Sequence, residues 1–327
     1  EDYVGLFALA EDAFLSNINL TNVNITGYKY VGALVGRSNS DLNRENFVTN
    51  ISGCHSSGTV NANSHAGGLA GVIDSLIAYS SSGCTVNASG DGYAGGITGY
   101  ASGVIVNCQS TGGISGVRFV GGLAGLNYSY AKIRNSWATG NVIGDEYAVG
   151  GLLGINYNGT IVKNCYSTGD VSGDRSVGGL IGTAYSSGEV SYVYSVGEVS
   201  GPGSNIGGLI GNNYSSSHDN INNAFWDTET SGMTASAGGS GKITAEMQSV
   251  ATFTDTGTEG LDTPWDFIND PNDDTAANDY WHIDEGNEPP RFQIQAPPNM
   301  PYNALTANEK DLSESISVSR EESKLLY

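Results

Sequence analysis

Charge is scarce in this chain, and basic charge scarcer still. Only 14% of the 327 residues are Asp, Glu, Lys or Arg, with 13 bases against 34 acids. No basic stripe is present to neutralise phosphates, which speaks against nucleic acid as a partner. No run of about 18 apolar residues occurs, so the sequence contains no membrane span. Apolar stripes of helical period are missing from the first two thirds, which excludes a helical bundle there. The four histidines (His55, His65, His218, His282) are scattered, and the HExxH signature of zinc proteases is absent. What is plentiful is Gly, at 47 residues, together with Ser, Asn and Thr.

The glycines are ordered. VGALVG at Val31 recurs as AGGLAG at Ala66, AGGITG at Ala94, VGGLAG at Val120, VGGLLG at Val149, VGGLIG at Val177 and IGGLIG at Ile206, with a weaker VGLFA at Val4. Gly5, Gly32, Gly67, Gly95, Gly121, Gly150, Gly178 and Gly207 are separated by 27, 35, 28, 26, 29, 28 and 29 residues. A fixed period of that size predicts a solenoid. The second half of each unit, as in Asn164-Cys165-Tyr166-Ser167-Thr168-Gly169-Asp170-Val171, is β-branched and aromatic with Gly, Ser and Asn punctuation, so it reads as strands and turns.

One unit cannot bury its own apolar face and must stack on its neighbours at ~4.8 Å. The expected fold is therefore all-β: a parallel β-helix of about eight coils, roughly 40 Å long, with a C-terminal capping region. Its expected hand is right, which parallel β connections favour. The phrase's first aliphatic and the Leu or Ile three residues later have opposite parity on a flat strand. For both to face the core, the glycines between them must carry a bend or bulge. Gly32, Gly67, Gly95, Gly121, Gly150, Gly178 and Gly207 are thus structural. The long Gly32–Gly67 interval is expected to hold a loop around Ser38 to Asn46.

These phrases resemble the GLUG repeat, named for its Gly-Leu-aliphatic-Gly core, from about residue 4 to 225. Phe225-Trp226-Asp227-Thr228-Glu229-Thr230-Ser231-Gly232 and the stretch that follows are similar to the segment that often closes such arrays. The resemblance implies a secreted or surface-exposed microbial protein, often adhesin-like. Some family members accompany immunoglobulin A proteases, but no protease residue carries over to this sequence, and repeat type does not fix an activity. A chain that starts inside its first repeat, without a signal peptide at Glu1, reads as a processed or trimmed form.

Three segments are expected: the solenoid over 1–225, an aromatic and acidic cap over 226–295, and a Pro-containing polar tail or linker over 296–327. The cap should hold a short helix from Thr244 to Val250 with Thr244 as N-cap. Its anchors would be Trp265, Phe267, Tyr280, Trp281 and Phe292. Charge is uneven, with 15 acids and 8 bases before residue 226 and 19 acids and 5 bases after it. The acidic cluster around Asp270, Asp273 and Asp274 is a weak calcium candidate, although its spacing fits no EF-hand; otherwise no metal and no cofactor are expected.

Counting back from the second-half glycines places Cys54, Tyr79, Cys108, Ser136, Cys165 and Val193 in one slot. Cysteines on alternate coils would lie roughly 9 to 10 Å apart, beyond disulfide reach. Free, buried thiols are therefore expected there, with Cys84 outside the slot.

Seven sequons, at Asn19, Asn24, Asn50, Asn87, Asn127, Asn158 and Asn213, are candidates for glycosylation. Tyr128, Tyr157, Tyr185 and Tyr214, with Tyr130 nearby, follow the phrase at similar offsets. They could stack on sugars or on one another. The best reading is a non-catalytic extracellular structural or adhesive surface protein. Its expected partner is a second copy of itself, assembled end to end, or a cell-surface glycan. Two alternatives stay open. One is a carbohydrate-binding or carbohydrate-active β-helix, for which Asp145, Glu146, Asp170 and Asp174 beside Arg175 are the thin acidic candidates. The other is a passive spacer within a larger surface protein.

Overall fold

In the computed structural model, residues 2–39, 49–185, 188–214, 220–268 and 281–292 are described. The chain winds into a parallel β-solenoid. One side is an eight-stranded sheet formed by Phe7–Glu11, Val35–Asn39, Ala70–Ile73, Thr98–Ala101, Ala124–Tyr128, Leu153–Tyr157, Ile181–Ala184 and Ile210–Asn213, each strand parallel to that of the next coil. Eight rungs enclose about seven full turns, slightly fewer than the expected eight coils. The other strands of the rod form a continuous 21-stranded sheet.

Register follows the phrase. Val31 pairs with Ala66, Ala66 with Ala94, Ala94 with Val120, Val120 with Val149, Val149 with Val177 and Val177 with Ile206. Both aliphatics of the phrase are buried, but on opposite sides of a bend. Leu34, Leu69, Ile97, Leu123, Leu152, Leu180 and Leu209 fill one core cluster, while Val31, Ala66, Ala94, Val120, Val149 and Val177 fill another. The backbone turns between them, at positions such as 68–69 and 151–152.

The glycines answer to space alone. A Cβ on Gly32, Gly67, Gly95, Gly121, Gly150, Gly178 or Gly207 would come within 1.9 to 2.5 Å of the carbonyl oxygen three residues on. None of the seven has a positive φ, so a left-handed backbone is not what demands glycine there. The next residue of the phrase is equally confined. A Cβ on Gly68, Gly96 or Gly179 would lie 2.0, 1.8 or 2.8 Å from the Oγ of Ser82, Ser110 or Ser195, about half a coil further along the chain.

Left-handed residues mark a different corner. Asn17, Gly53, Tyr79, Asn107, Asn135, Asn164, Tyr192 and Asn223 all have φ between 49° and 61°. Five are asparagine, the non-glycine residue for which that conformation is least costly.

Beyond the coils, two parts of the chain take different places. Ser240–Lys242 pairs in parallel with Phe225–Asp227, while Ser236 Oγ accepts from the N–H groups of Leu209 and Ile210 at 3.2 and 2.9 Å, so this stretch lies on the last coil. The helices Thr244–Met247 and Val250–Thr254 and the antiparallel pair Trp281–Asp284 and Glu288–Phe292 instead pack along the flank, against Trp137, Tyr166, Tyr194 and Phe225. The helix expected over Thr244 to Val250 is two: the one at Thr244 has Ile243 as its N-cap, one residue earlier than expected, and ends at Met247, and a second opens at Val250. The Glu246 carboxylate accepts from Ile243 N–H at 2.9 Å, and Thr244 Oγ1 donates to Asp227 at 3.0 Å. Most of the loop expected around Ser38 to Asn46, together with Tyr280 and the tail over 296–327, lies outside the described residues. Ser38 itself is buried and hydrogen-bonded to Ser75 Oγ at 2.7 Å.

Candidate functional site

A residue repeated at one position of each coil becomes a column with the coil spacing, and aromatic residues form such columns along this rod. Tyr128, Tyr157, Tyr185 and Tyr214 stand eight positions after the start of their phrases, at the ends of strands in the eight-stranded sheet. Their rings form one ladder, with centroids 5.4, 5.4 and 4.8 Å apart. Two of the three steps are nearly parallel, at 9° and 10°. Tyr157, Tyr185 and Tyr214 are 41%, 38% and 56% exposed. The faces of Tyr128 and Tyr157, and of Tyr185 and Tyr214, are thus turned toward one another, while the Tyr157–Tyr185 step is tilted by 58°.

The ladder extends further than its sequence spacing suggests. Tyr100 joins it at 5.9 Å from Tyr128, and Tyr93 joins Tyr100 at 5.9 Å. Tyr93 continues a corner column through His65 and Tyr30 to Tyr3, with steps of 4.8, 5.0 and 4.9 Å. Tyr100 was hidden because it stands two positions nearer its phrase than the others do. Tyr147, from the neighbouring corner, shares a 2.9 Å hydrogen bond between phenol oxygens with Tyr185 and receives one from Thr183 Oγ1 at 3.3 Å. Tyr130 is not part of the ladder; it has a left-handed backbone and lies over Gly159.

Electrostatics differ along these columns. Burial, followed by the hydrogen bond to Tyr147, raises the Tyr185 phenol above its ordinary value. Burial and the Lys29 charge push His65 down to about 4, so this imidazole is neutral at pH 7.

A second stack is covered. Trp137, Tyr166 and Tyr194 lie parallel within 8°, with centroids 5.7 and 5.0 Å apart. Trp265, Trp281 and Phe292 close over them, and Tyr194 donates to the carbonyl of Pro290. Burial holds the Tyr166 and Tyr194 phenols well above the ordinary range.

The remaining candidates separate cleanly. Cys54, Cys84, Cys108 and Cys165 are all free and buried. Register pairs Ser136 with Cys165 and Cys165 with Val193, as expected. The coil carrying Tyr79, however, contributes Ser80 to this slot, because His55 pairs with Ser81 and Ser81 with Gln109. Serine and thiol do the same work there: Ser80 Oγ donates to Ala78 O at 2.8 Å, and Cys108 Sγ donates to Val106 O at 3.3 Å. Burial pushes the Cys108 and Cys165 thiols up to about 12, which leaves them protonated and unreactive at neutral pH.

Among the acids, Glu146 pairs with Arg118 at 2.5 Å and Asp174 with Arg175 at 3.3 Å. Asp170 belongs to a corner column: its N–H donates to Asn141 Oδ1 at 3.1 Å, and its Oδ1 accepts from Glu198 N–H at 3.0 Å. Asp270, Asp273 and Asp274 lie outside the described residues. Among the described residues, no group of three or more His, Cys, Asp or Glu side chains could hold a metal.

The sequons also divide. Asn19, Asn24 and Asn158 are exposed, and Asn50, Asn87 and Asn213 are partly buried. Asn127 is fully buried and donates to Asn156 Oδ1 at 2.9 Å, so it is no acceptor in the folded rod.

The family model described as the GLUG motif matches residues 120–143 and 145–172, two adjacent coils that bear Tyr128 and Tyr157. No curated protein and no solved structure matches the chain. No helix among the described residues is long and apolar enough to cross a membrane.

Proposed function

We propose that this GLUG-repeat protein is a non-catalytic, extracellular surface rod that adheres to a cell-surface glycan along its flank. The observation that carries this reading is the open ladder, in which the phenols of Tyr157, Tyr185 and Tyr214 recur on successive coils and remain exposed. A periodic row of hydroxyl donors and acceptors at ~4.8 Å suits a ligand that is itself a repeating polyhydroxyl chain. Because ring faces meet within the Tyr128–Tyr157 and Tyr185–Tyr214 pairs, recognition works through phenol hydroxyls more than through sugar stacking. The low charge and the Ser-, Thr- and Asn-rich exterior support an extracellular setting, as does the GLUG resemblance. The non-catalytic part rests on the carboxylates, since Asp170 and Glu146 are engaged in the rod's own corner contacts.

Glycan-array and whole-cell adherence measurements test this reading. Wild type should bind, and Tyr157→Ala/Tyr185→Ala/Tyr214→Ala should lose binding while keeping the strand content of the rod. Failure of wild type to bind either glycans or cells would remove the adhesive reading. Turnover of a polysaccharide that disappears in Asp170→Ala would replace it with an enzymatic one.

A further inference from the structure

The open ladder combines three properties that matter to phenol chemistry. Its rings are accessible, with Tyr214 the most so at 56% exposure. They lie 4.8 to 5.4 Å apart from Tyr128 to Tyr214, close enough for an electron vacancy on one ring to pass to the next. The Tyr147 and Tyr185 hydroxyls are hydrogen-bonded at 2.9 Å on the exposed surface, so the proton of an oxidised phenol has a path out to water. The covered stack at Tyr166 and Tyr194 has the spacing without the access. Tyr28 and Tyr130 have the access, at 59% and 38%, without a ring partner among the described residues.

We propose that the ladder is an oxidative coupling site through which two copies of the chain become joined by dityrosine. The co-reactant is a peroxide-driven one-electron oxidant. Each of two phenols gives up one electron and one proton, and the peroxide leaves as two waters. The two phenoxyl radicals join through ring carbons ortho to the oxygens. The hydrogens on those carbons then move to the oxygens, which restores both phenols and leaves one new carbon–carbon bond. The stack gathers radicals formed anywhere along the ladder and delivers them to the most exposed ring, so coupling concentrates at Tyr214. This inference shares with the adhesive reading only the rod's surface location, because coupling needs no glycan.

The test treats the full chain with a peroxidase and hydrogen peroxide, without glycan. It reads dityrosine fluorescence, covalent dimer on denaturing gels, and the coupled residues by mass spectrometry. Wild type should form dimer with Tyr214 as the main coupled position. Tyr157→Phe/Tyr185→Phe/Tyr214→Phe, which keeps the rings and removes the phenols, should lose most of it. Tyr28→Phe/Tyr130→Phe should retain it. Absence of dimer in wild type, unchanged coupling in the triple variant, or crosslinks at Tyr28 and Tyr130 in proportion to their exposure would each overturn the proposal. Glycan binding measured on the same triple variant reports separately on the adhesive reading.

Discussion

Two aromatic stacks are built by the same device on one rod and meet opposite fates. Trp137, Tyr166 and Tyr194 are covered by Trp265, Trp281 and Phe292, leaving Tyr194 1% exposed. Tyr128, Tyr157, Tyr185 and Tyr214 have similar ring spacing and no such cover among the described residues, and Tyr214 is 56% exposed. Parallel, in-register coils generate a stack wherever an aromatic residue recurs in one slot. Whether the stack serves stability or contact is decided elsewhere, by what the rest of the chain lays over it.

The largest expected difference between the stacks is energetic. Tyr194→Ala should cost about 3–5 kcal/mol, as large-to-small changes in packed aromatic cores do, and should loosen the C-terminal flank with it. Tyr157→Ala removes a ladder contact and little burial, so its cost should stay near about 1 kcal/mol. Denaturant midpoints and amide exchange in the coils carrying residues 157 and 194 check the pair. Equal losses would erase the distinction between covered and open stacks.

An intermediate effect separates them by pH. The Tyr166 and Tyr194 phenols are raised in the folded state, so their stabilisation is complete below the unfolded value of about 10 and is lost as pH rises beyond it. His65, in the column that continues the open ladder, goes the other way. Its folded value is lowered from 6.5 to about 4, so its contribution is present above 6.5 and disappears as pH falls through 4. Alkali should therefore open the C-terminal flank, and acid the corner at Tyr30 and Tyr93. Exchange measured across that range checks both, and His65→Phe should abolish the acid-sensitive part.

The smallest effect concerns the interior that both stacks share. Cys165→Ser should change stability by less than about 1 kcal/mol, because Ser136 fills the same slot one coil earlier and donates to Arg134 O at 2.7 Å. A larger loss, read from the unfolding midpoint, would show that sulfur volume matters at that layer.

Much of this was legible before the structure. The phrase gave the period, the register and the structural glycines, because each copy has to stack on the last. The thiol column was legible too, with one slip. In the coil carrying Tyr79 the corner-glycine slot holds Cys84, which pairs with Gly58, and Gly83 lies one residue before it. A count of four back from Gly83 therefore reaches Tyr79, where the slot itself holds Ser80. The left-handed corner could have been found from the asparagines that recur at 107, 135 and 164, directly before that slot. Ring orientation could not be read, since sequence offset does not say which way a side chain at a strand end leans; Tyr100 reaches the ladder from a different offset. Nor could the flank position of Trp265 and Trp281, because the non-repeating segment that carries them has no internal register to fix its place.

Footprinting of individual tyrosines by brief hydroxyl-radical exposure and mass spectrometry tests the contrast most directly. Tyr157, Tyr185 and Tyr214 should be modified readily, while Tyr166 and Tyr194 stay protected in the native protein. Protection of the first three, or ready modification of Tyr194, would contradict the division into an open and a covered stack.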